Sequence, residues 1–395
     1  MNMGKLALQT IEVFRERFHG EPEVVAFSPA RVDLLGNHTD YNDGFTLTLS
    51  LDRYICVVGR KTDDGKVTLF SANYDESEAF DVNEIVRSDK VTWGHYVKGV
   101  ITELQAKGIE IPGFDAAICG DIPLGTGLSS SAALEVATAM FLREITPYTL
   151  ETIEIAKVCQ KAENNFVGAA CGILDQCATL FGKKDHGLFL DCRTLETSLH
   201  GFHRSDIAIL ICNTGTKHNL ANSKYLDRRR ECEAGAQFYN GKYGQIQALR
   251  DVSLEQVQES KGEIDSVLYK RALHVVTENQ RVLAGVKLLD EGKLEDLGEL
   301  MNQSHESSVH DFDNSCDELN IMVEGTRSLD GVIGTKLCGA GFGGCTIALV
   351  QQESAEQVVS QIKKNYLDKT GISPEIHIYH TVDGASAQPC STFLP

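Results

Sequence analysis

Basic residues are scarce in this chain: 37 Lys and Arg stand against 56 Asp and Glu, a formal net charge of −19 at pH 7. No basic block offsets that balance, so binding to a nucleic-acid backbone or an anionic membrane surface, which rewards dense positive charge, is excluded. Long apolar runs are missing too. The densest, Ile207 to Cys212, is strand-sized and far short of the ~18 residues of a membrane-spanning helix. Residues 1–20 meet Glu and Arg soon after a short apolar start and lack a small-residue cleavage site, so they read as a surface helix and not as a signal peptide. No C-x-x-C occurs among the 12 cysteines, which removes zinc ribbons and dithiol redox centres. Cys56, Cys212 and Cys345 lie inside apolar runs, where cysteine behaves as a small hydrophobe, and reduced thiols in a cytoplasmic protein are expected. Neither a fixed-period repeat nor a low-complexity linker is present.

What is present points to two domains of mixed α and β structure, because 395 residues exceed the roughly 250–300 at which one core usually splits. VVAFSPARVDLL and TLTLSLDRYICVVGR read as strands around a polar loop, with VTLFSA following the turn at Thr62 to Gly65. In SSSAALEVATAMFLRE, the residues Ala133, Val136, Ala137, Met140 and Phe141 fall at helical spacing, so a helix starts at the serine run. LETIEIAKVCQKAENNFV is amphipathic, IAILICNT is a buried strand, and residues 265–305 read as helical. A polar gap at Thr197 to Ser205 suggests domains at 1–202 and 203–395.

Two patterns mislead. Gly339 to Gly344 matches G-x-G-x-x-G, but CTIALV, a strand, follows where a dinucleotide site needs a helix. His305-Glu306 with His310 superficially resembles H-E-x-x-H, yet the histidines are five apart, about 140° around a helix, and read as solvated residues. No G-x-x-x-x-G-K-[ST] occurs. The segment Asp121-Ile-Pro-Leu-Gly-Thr-Gly-Leu-Ser-Ser-Ser-Ala-Ala is different in kind: Gly125 and Gly127 let the backbone turn N–H groups inward, three hydroxyls follow, and a helix begins with its positive dipole end facing the loop. That is a phosphate cradle; an ordinary N-cap would account for one serine, not three.

Pro123 to Ala133 resembles the nucleotide-phosphate loop of the GHMP kinases. Three further segments resemble the galactokinase branch: Arg31-Val-Asp-Leu-Leu-Gly-Asn-His-Thr-Asp-Tyr-Asn-Asp-Gly its sugar signature, Cys171-Gly-Ile-Leu-Asp-Gln its catalytic segment, and Gly339 to Cys345 the third motif, all in family order. The resemblance implies an α+β, two-domain GHMP kinase fold, the first domain like the second domain of ribosomal protein S5 and the second ferredoxin-like. It implies ATP and Mg²⁺ as cofactors and a small-molecule sugar as substrate, with a monomer expected. By the same resemblance Asp175 is the catalytic base and Arg31 its charged neighbour; a helix cap is the alternative for Asp175. The backbone at Gly125, Thr126, Gly127, Leu128, Ser129 and Ser130 holds phosphates, and Ser131 and Glu163 are the Mg²⁺ ligands. Taken alone, Glu163 reads as a solvated helix charge. Trp93 is placed near the adenine, a core position being the alternative. Asn37, His38, Asp40, Gly172 and Tyr225 occupy sugar-contacting positions; without the family, that N-H-T-D-Y-N-D-G run is only a polar turn.

The chain departs from the family at Asn37, where galactokinases usually carry a Glu that contacts the sugar near its 6-hydroxyl. A neutral amide replaces an anionic acceptor. Lys217 stands where an Arg is common. Galactose is the first expectation, and a C6-altered sugar such as galacturonate, whose carboxylate a Glu would repel, the second. Against that second reading, the motif brings no new Arg or Lys. Some galactokinase relatives sense galactose and ATP without catalysis and are expected to be damaged in the serine loop; Ser129-Ser-Ser-Ala-Ala is intact here.

Overall fold

Apolar strand segments gather into two sheets in a computed structural model of the chain, which describes residues 3–90, 92–123, 126–169, 171–204, 206–216 and 221–393. The first sheet takes β1 (Val24–Leu35), β2 (Phe45–Thr62), β3 (Lys66–Ser71), β4 (Glu76–Asp81), β5 (Gly113–Gly120), β6 (His186–Asp191) and β7 (Thr197–Gly201). The second takes β8 (Ile207–Asn213), β9 (Val332–Leu337), β10 (Cys345–Gln351) and β11 (Glu375–Tyr379), and β12 (Ser386–Pro389) returns to pair with β1 in the first. The second sheet runs β11-β8-β10-β9, all neighbours antiparallel. With helices in both crossovers this is the ferredoxin-like arrangement that the family resemblance implies.

β1 is buried along its whole length because both faces are covered. Helix Met3–Phe18 packs Leu6, Ile11 and Phe14 against Val25 and Phe27, so the expected surface helix has one buried face. Val24 and Ala26 face the helical cluster on the other side, which includes helix Ser130–Ile145. The register of β1 against β2 slips between Pro29 and Ala30 and again between Asp33 and Leu35. Irregularities of this kind re-aim side chains beside active sites, and Arg31 and Asp33 lie between the two, on one face of the strand.

Three stretches differ from the sequence reading. Residues 197–205, read as a polar gap, hold the edge strand β7, whose partly exposed residues show little apolar alternation. Helix Thr152–Lys161 passes into a π-helix at Ala162–Val167, which displaces its last residues from a 3.6-residue pattern. The 265–305 region is two helices, Ser266–Asp290 and Leu294–Ser307, broken at Gly292 with φ 69°, then a second π-turn at Ser308–Phe312. His305 on that second helix is not solvated. It is buried and its Nδ1 accepts from the Leu337 N–H at 3.3 Å, while His310 is exposed, paired with Glu306. All 12 cysteines are free thiols, most of them buried. No helix among the described residues is long and apolar enough to cross a membrane.

Helix Leu294–Ser307 lies so close to β9 that Gly298 and Gly334 touch backbone to backbone; a Cβ on Gly298 would stand 1.9 Å from the Ile333 carbonyl oxygen. Gly298→Ala therefore forces the helix off the sheet and is expected to lower stability by about 1–3 kcal/mol in urea denaturation.

Candidate active site

A polar cavity of about 420 Å³ opens where β1 ends, and Arg31, Asn37, His38, Asp40, Gly172, Asp175 and Tyr225 all line it. At its centre the Arg31 Nε donates to Asp175 Oδ1 at 2.7 Å, with a second guanidinium nitrogen at 2.7 Å from the same oxygen. Another nitrogen, Nη1, donates to the Gly127 carbonyl at 2.7 Å, and the Arg31 main-chain N–H to the Leu128 carbonyl at 3.4 Å. The Ser129 hydroxyl donates to Asp175 Oδ2 at 2.5 Å. Burial opposes the guanidinium charge, but Asp175 and Asp33 raise the Arg31 pKa above its ordinary value, so it stays a cation.

The turn at Gly36 to Asp40 is held from the other half of the chain. Gly36 has φ 100°, and a Cβ there would meet the Phe45 carbonyl oxygen at 2.7 Å, so only glycine fits. Glu278, fully buried on helix Ser266–Asp290, accepts from the Gly36 N–H at 2.9 Å, the Asn37 N–H at 3.3 Å and the Ser304 hydroxyl at 2.8 Å, and pairs with Arg281 Nε at 2.6 Å. Burial works against its ionisation, yet Arg281, His274, Lys336 and the Gly36 amide hold its carboxyl well below the usual range. The Asn37 side chain is bound at both ends: Lys336 Nζ donates to Oδ1, and Nδ2 donates to the Gly339 carbonyl at 2.6 Å. His38 donates from Nε2 to the Ala340 carbonyl at 3.1 Å and accepts the Tyr41 hydroxyl at Nδ1 at 2.9 Å. Burial pushes its pKa down to about 3, so the ring is neutral with both nitrogens engaged by the protein. Asp40 packs its carboxylate on Gly172, where a Cβ would come within 2.2 Å of Oδ2, and burial followed by Asp175 raises its pKa to about 6.

A second cavity, about 280 Å³, lies beyond the glycine loop. Trp93, Tyr74 and Tyr96 line it together with Ser130 and Ser131 from the first turn of helix Ser130–Ile145. Trp93 donates from Nε1 to Glu76 Oε2 at 3.2 Å and packs its ring against the core edge. In the loop itself Ser129 has φ 56°, Gly127 has φ 73°, and Thr126 bonds the Pro123 carbonyl at 2.8 Å. Gly125 and Lys217 lie outside the described residues. Glu163 is 7% exposed, which overturns its reading as a solvated charge. The π-helix turns it inward, where it meets the Ser131 hydroxyl and accepts from Gln176 Nε2 at 3.0 Å.

The structure thus brings the sugar-signature residues, Arg31 and Asp175 into one cavity, and Trp93, Ser130 and Ser131 into its neighbour. Sequence reasoning missed Asp33, Cys171, Leu226 and the backbone of Gly339 and Ala340, which also line the first cavity. For Asp33 the signal was available: it stands two residues from Arg31 on a strand, hence on the same face.

The profile for the GHMP kinases N terminal domain matches residues 95–183, that for the GHMP kinases C terminal matches 286–368, and the Galactokinase galactose-binding signature matches 12–61. Galactokinases of Roseiflexus sp. (strain RS-1) and Homo sapiens are 39% identical over 373 residues and 38% identical over 390. Those alignments cover 94% and 97% of this chain and 95% and 97% of the relatives. The chain belongs to the galactokinases of the GHMP kinase family. Among solved galactokinases, that of Lactococcus lactis complexed with galactose superposes with a TM-score of 0.91 at 35% identity, over 95% of this chain and 98% of that one. A mevalonate kinase, 20% identical with a TM-score of 0.63 over 91% of this chain and 99% of its own, shares the GHMP kinase fold alone.

In this galactokinase-family chain the sugar-signature turn hangs on Glu278. Glu278→Ala leaves Arg281 without its carboxylate and two backbone N–H groups unpaired in the interior, and a loss of about 3–5 kcal/mol is expected in chemical denaturation at pH 7. Because the folded carboxyl titrates below its unfolded value, the wild-type stabilisation is complete above the ordinary glutamate pKa of about 4.3 and is lost as pH falls below it. The gap between wild type and variant should therefore narrow in acid.

Proposed function

We propose that the chain transfers the γ-phosphoryl group of ATP to the anomeric hydroxyl of galactose, giving galactose 1-phosphate and ADP. The observation that carries this reading is the placement of Asp175 between Arg31 and Ser129, at the junction of a polar cavity and a glycine-rich loop. Asp175 accepts the proton of the anomeric hydroxyl. Arg31 orients that carboxylate and offsets charge on the transferred group. Thr126 to Ser130 supply main-chain N–H groups and a helix N-terminus for the phosphates, and Gly125 joins them by resemblance. The cavity beside Trp93 and Tyr96 takes the flat base of the nucleotide, a reading supported by its aromatic lining. Asp40 and Tyr225 read sugar hydroxyls, with Gly172 leaving room for the Asp40 carboxylate.

The residues present fit a Mg²⁺ ion. Glu163 is a buried carboxylate that burial and Asp175 push toward the neutral form, with hydroxyl, amide and thiol partners and no ion pair among the described residues. Glu163 and the Ser131 hydroxyl would hold it, a hard-oxygen pair of the kind this cation accepts. Held there, it would supply positive charge against the phosphates of ATP.

Initial rates of ADP release on galactose, galacturonate, N-acetylgalactosamine and arabinose test the reading. Galactose should rank first; sugar binding without any transfer would favour a non-catalytic sensor. Asp175→Asn should lower kcat by about 10²- to 10⁴-fold with the galactose Kd, measured by calorimetry, nearly unchanged, since proton acceptance is what is removed. Because burial and Asp175 push the Asp40 pKa up to about 6, and the ionised carboxylate is the stronger acceptor for sugar hydroxyls, kcat/KM for galactose should fall as pH drops through that value. The residual activity of Asp40→Asn should lack this acid limb.

A further inference from the structure

Asp33 has no assigned task, and its surroundings are unusual. The period of β1 puts it on the face of the strand that carries Arg31, and it lines the same cavity while only 6% exposed. Neither of its carboxylate oxygens accepts a hydrogen bond among the described residues. Oδ1 is fully enclosed, and its nearest cation, Arg31 Nε, stands 3.6 Å away, beyond hydrogen-bond length. Buried carboxylates without donors are costly, and in native structures they are normally satisfied by protein, water or ligand. Oδ1 is closed off, so it is Oδ2, on the side of the carboxylate that lines the cavity, whose donor must come from what the cavity admits, and sugar hydroxyls are donors.

The neighbouring Asn37 cannot meet that need. Lys336 donates to its Oδ1, Nδ2 donates to the Gly339 carbonyl, and the residue is only 2% exposed, so the amide is committed to the protein and not to the cavity. Burial raises the Asp33 pKa, while Arg31 and Lys336 act to keep the group ionised. We propose that Asp33 is a specificity-determining residue of the sugar cavity, accepting a hydrogen bond from one hydroxyl of the substrate in place of Asn37. This rests on the reading of the cavity as a sugar site. It also settles the charge of the sugar that fits: Asp33, Asp40 and Asp175 line the cavity opposite one guanidinium, and Lys336 is turned onto Asn37 behind the wall. A neutral polyol is matched by such acceptors, and a uronate carboxylate is repelled.

The test is a cycle between Asp33→Asn, which preserves shape, and a series of monodeoxygalactoses, read as kcat/KM. On galactose the variant should lose about 10- to 100-fold, with its KM for ATP and its thermal midpoint close to wild type. On the one deoxy sugar that lacks the hydroxyl Asp33 accepts, wild type and variant should become equal, while the loss persists on the others. An equal loss on every sugar would mean that Asp33 only steadies Arg31, and no loss on galactose would mean that it touches nothing; either overturns the proposal. Should Asp33→Asn fail to fold, Asp33→Ser goes through the same series. If wild type ignores galactose, the galactose reading fails by itself, and the cycle is run on deoxy derivatives of the sugar it does phosphorylate.

Discussion

One guanidinium joins the parts of this molecule that chemistry requires to be together. Arg31 arrives on β1, holds Asp175 at the start of helix Leu174–Phe181, and takes the carbonyl of Gly127 in the phosphate loop. A strand, a helix and a glycine loop, drawn from residues 31, 175 and 127, are therefore positioned by a single planar group with a fixed fork of donors. Lysine could neutralise Asp175 but could not bond both partners in this geometry. The register slips of β1 on either side of Arg31 make the same point from the backbone: the strand is bent to aim this residue.

Legibility followed the range of the interaction. β1, β2, β8 and β10 were readable because their apolar runs are local, and helix Ser130–Ile145 because its serine start and its buried alanines share one short window. Glu163 was not readable from the residues, since a π-turn shifts it inward and no 3.6-residue pattern anticipates that. His305 was misread for a related reason: its partner, the Leu337 N–H, belongs to a strand more than thirty residues away. The pairing of Asn37 with Lys336 spans 299 positions and turns the apparent substitution of one acceptor into a buried arrangement of four groups, Asn37, Lys336, Asp33 and Glu278. Nothing in the motif itself carries that information.

Net charge proved a statement about surfaces. A chain at −19 repels polyanions at a distance, yet Arg31, Arg281 and Lys336 are gathered around the cavity with their charges matched by Asp175, Glu278 and Asp33. These charges offset one another within the length over which buried charges act, and Asp40 remains as the surplus acid lining the cavity. In the proposed reaction a polyphosphate is received by amide groups and a helix end, which the residue count does not register.

The return of β12 to the edge of β1 has a consequence for synthesis. The register Val24↔Pro389 through Phe27↔Ser386 closes the first sheet with residues made some 350 positions after the strand they protect. At about 5–20 residues per second, the ribosome leaves that edge of β1 unpaired for roughly 20–70 s. During that interval the emerging first half presents an open ladder of N–H and C=O groups, rich in valine and phenylalanine, to any neighbouring chain. That edge is covered only when Ser386–Pro389 come back to pair with it, so the first sheet is completed by the last strand to be made.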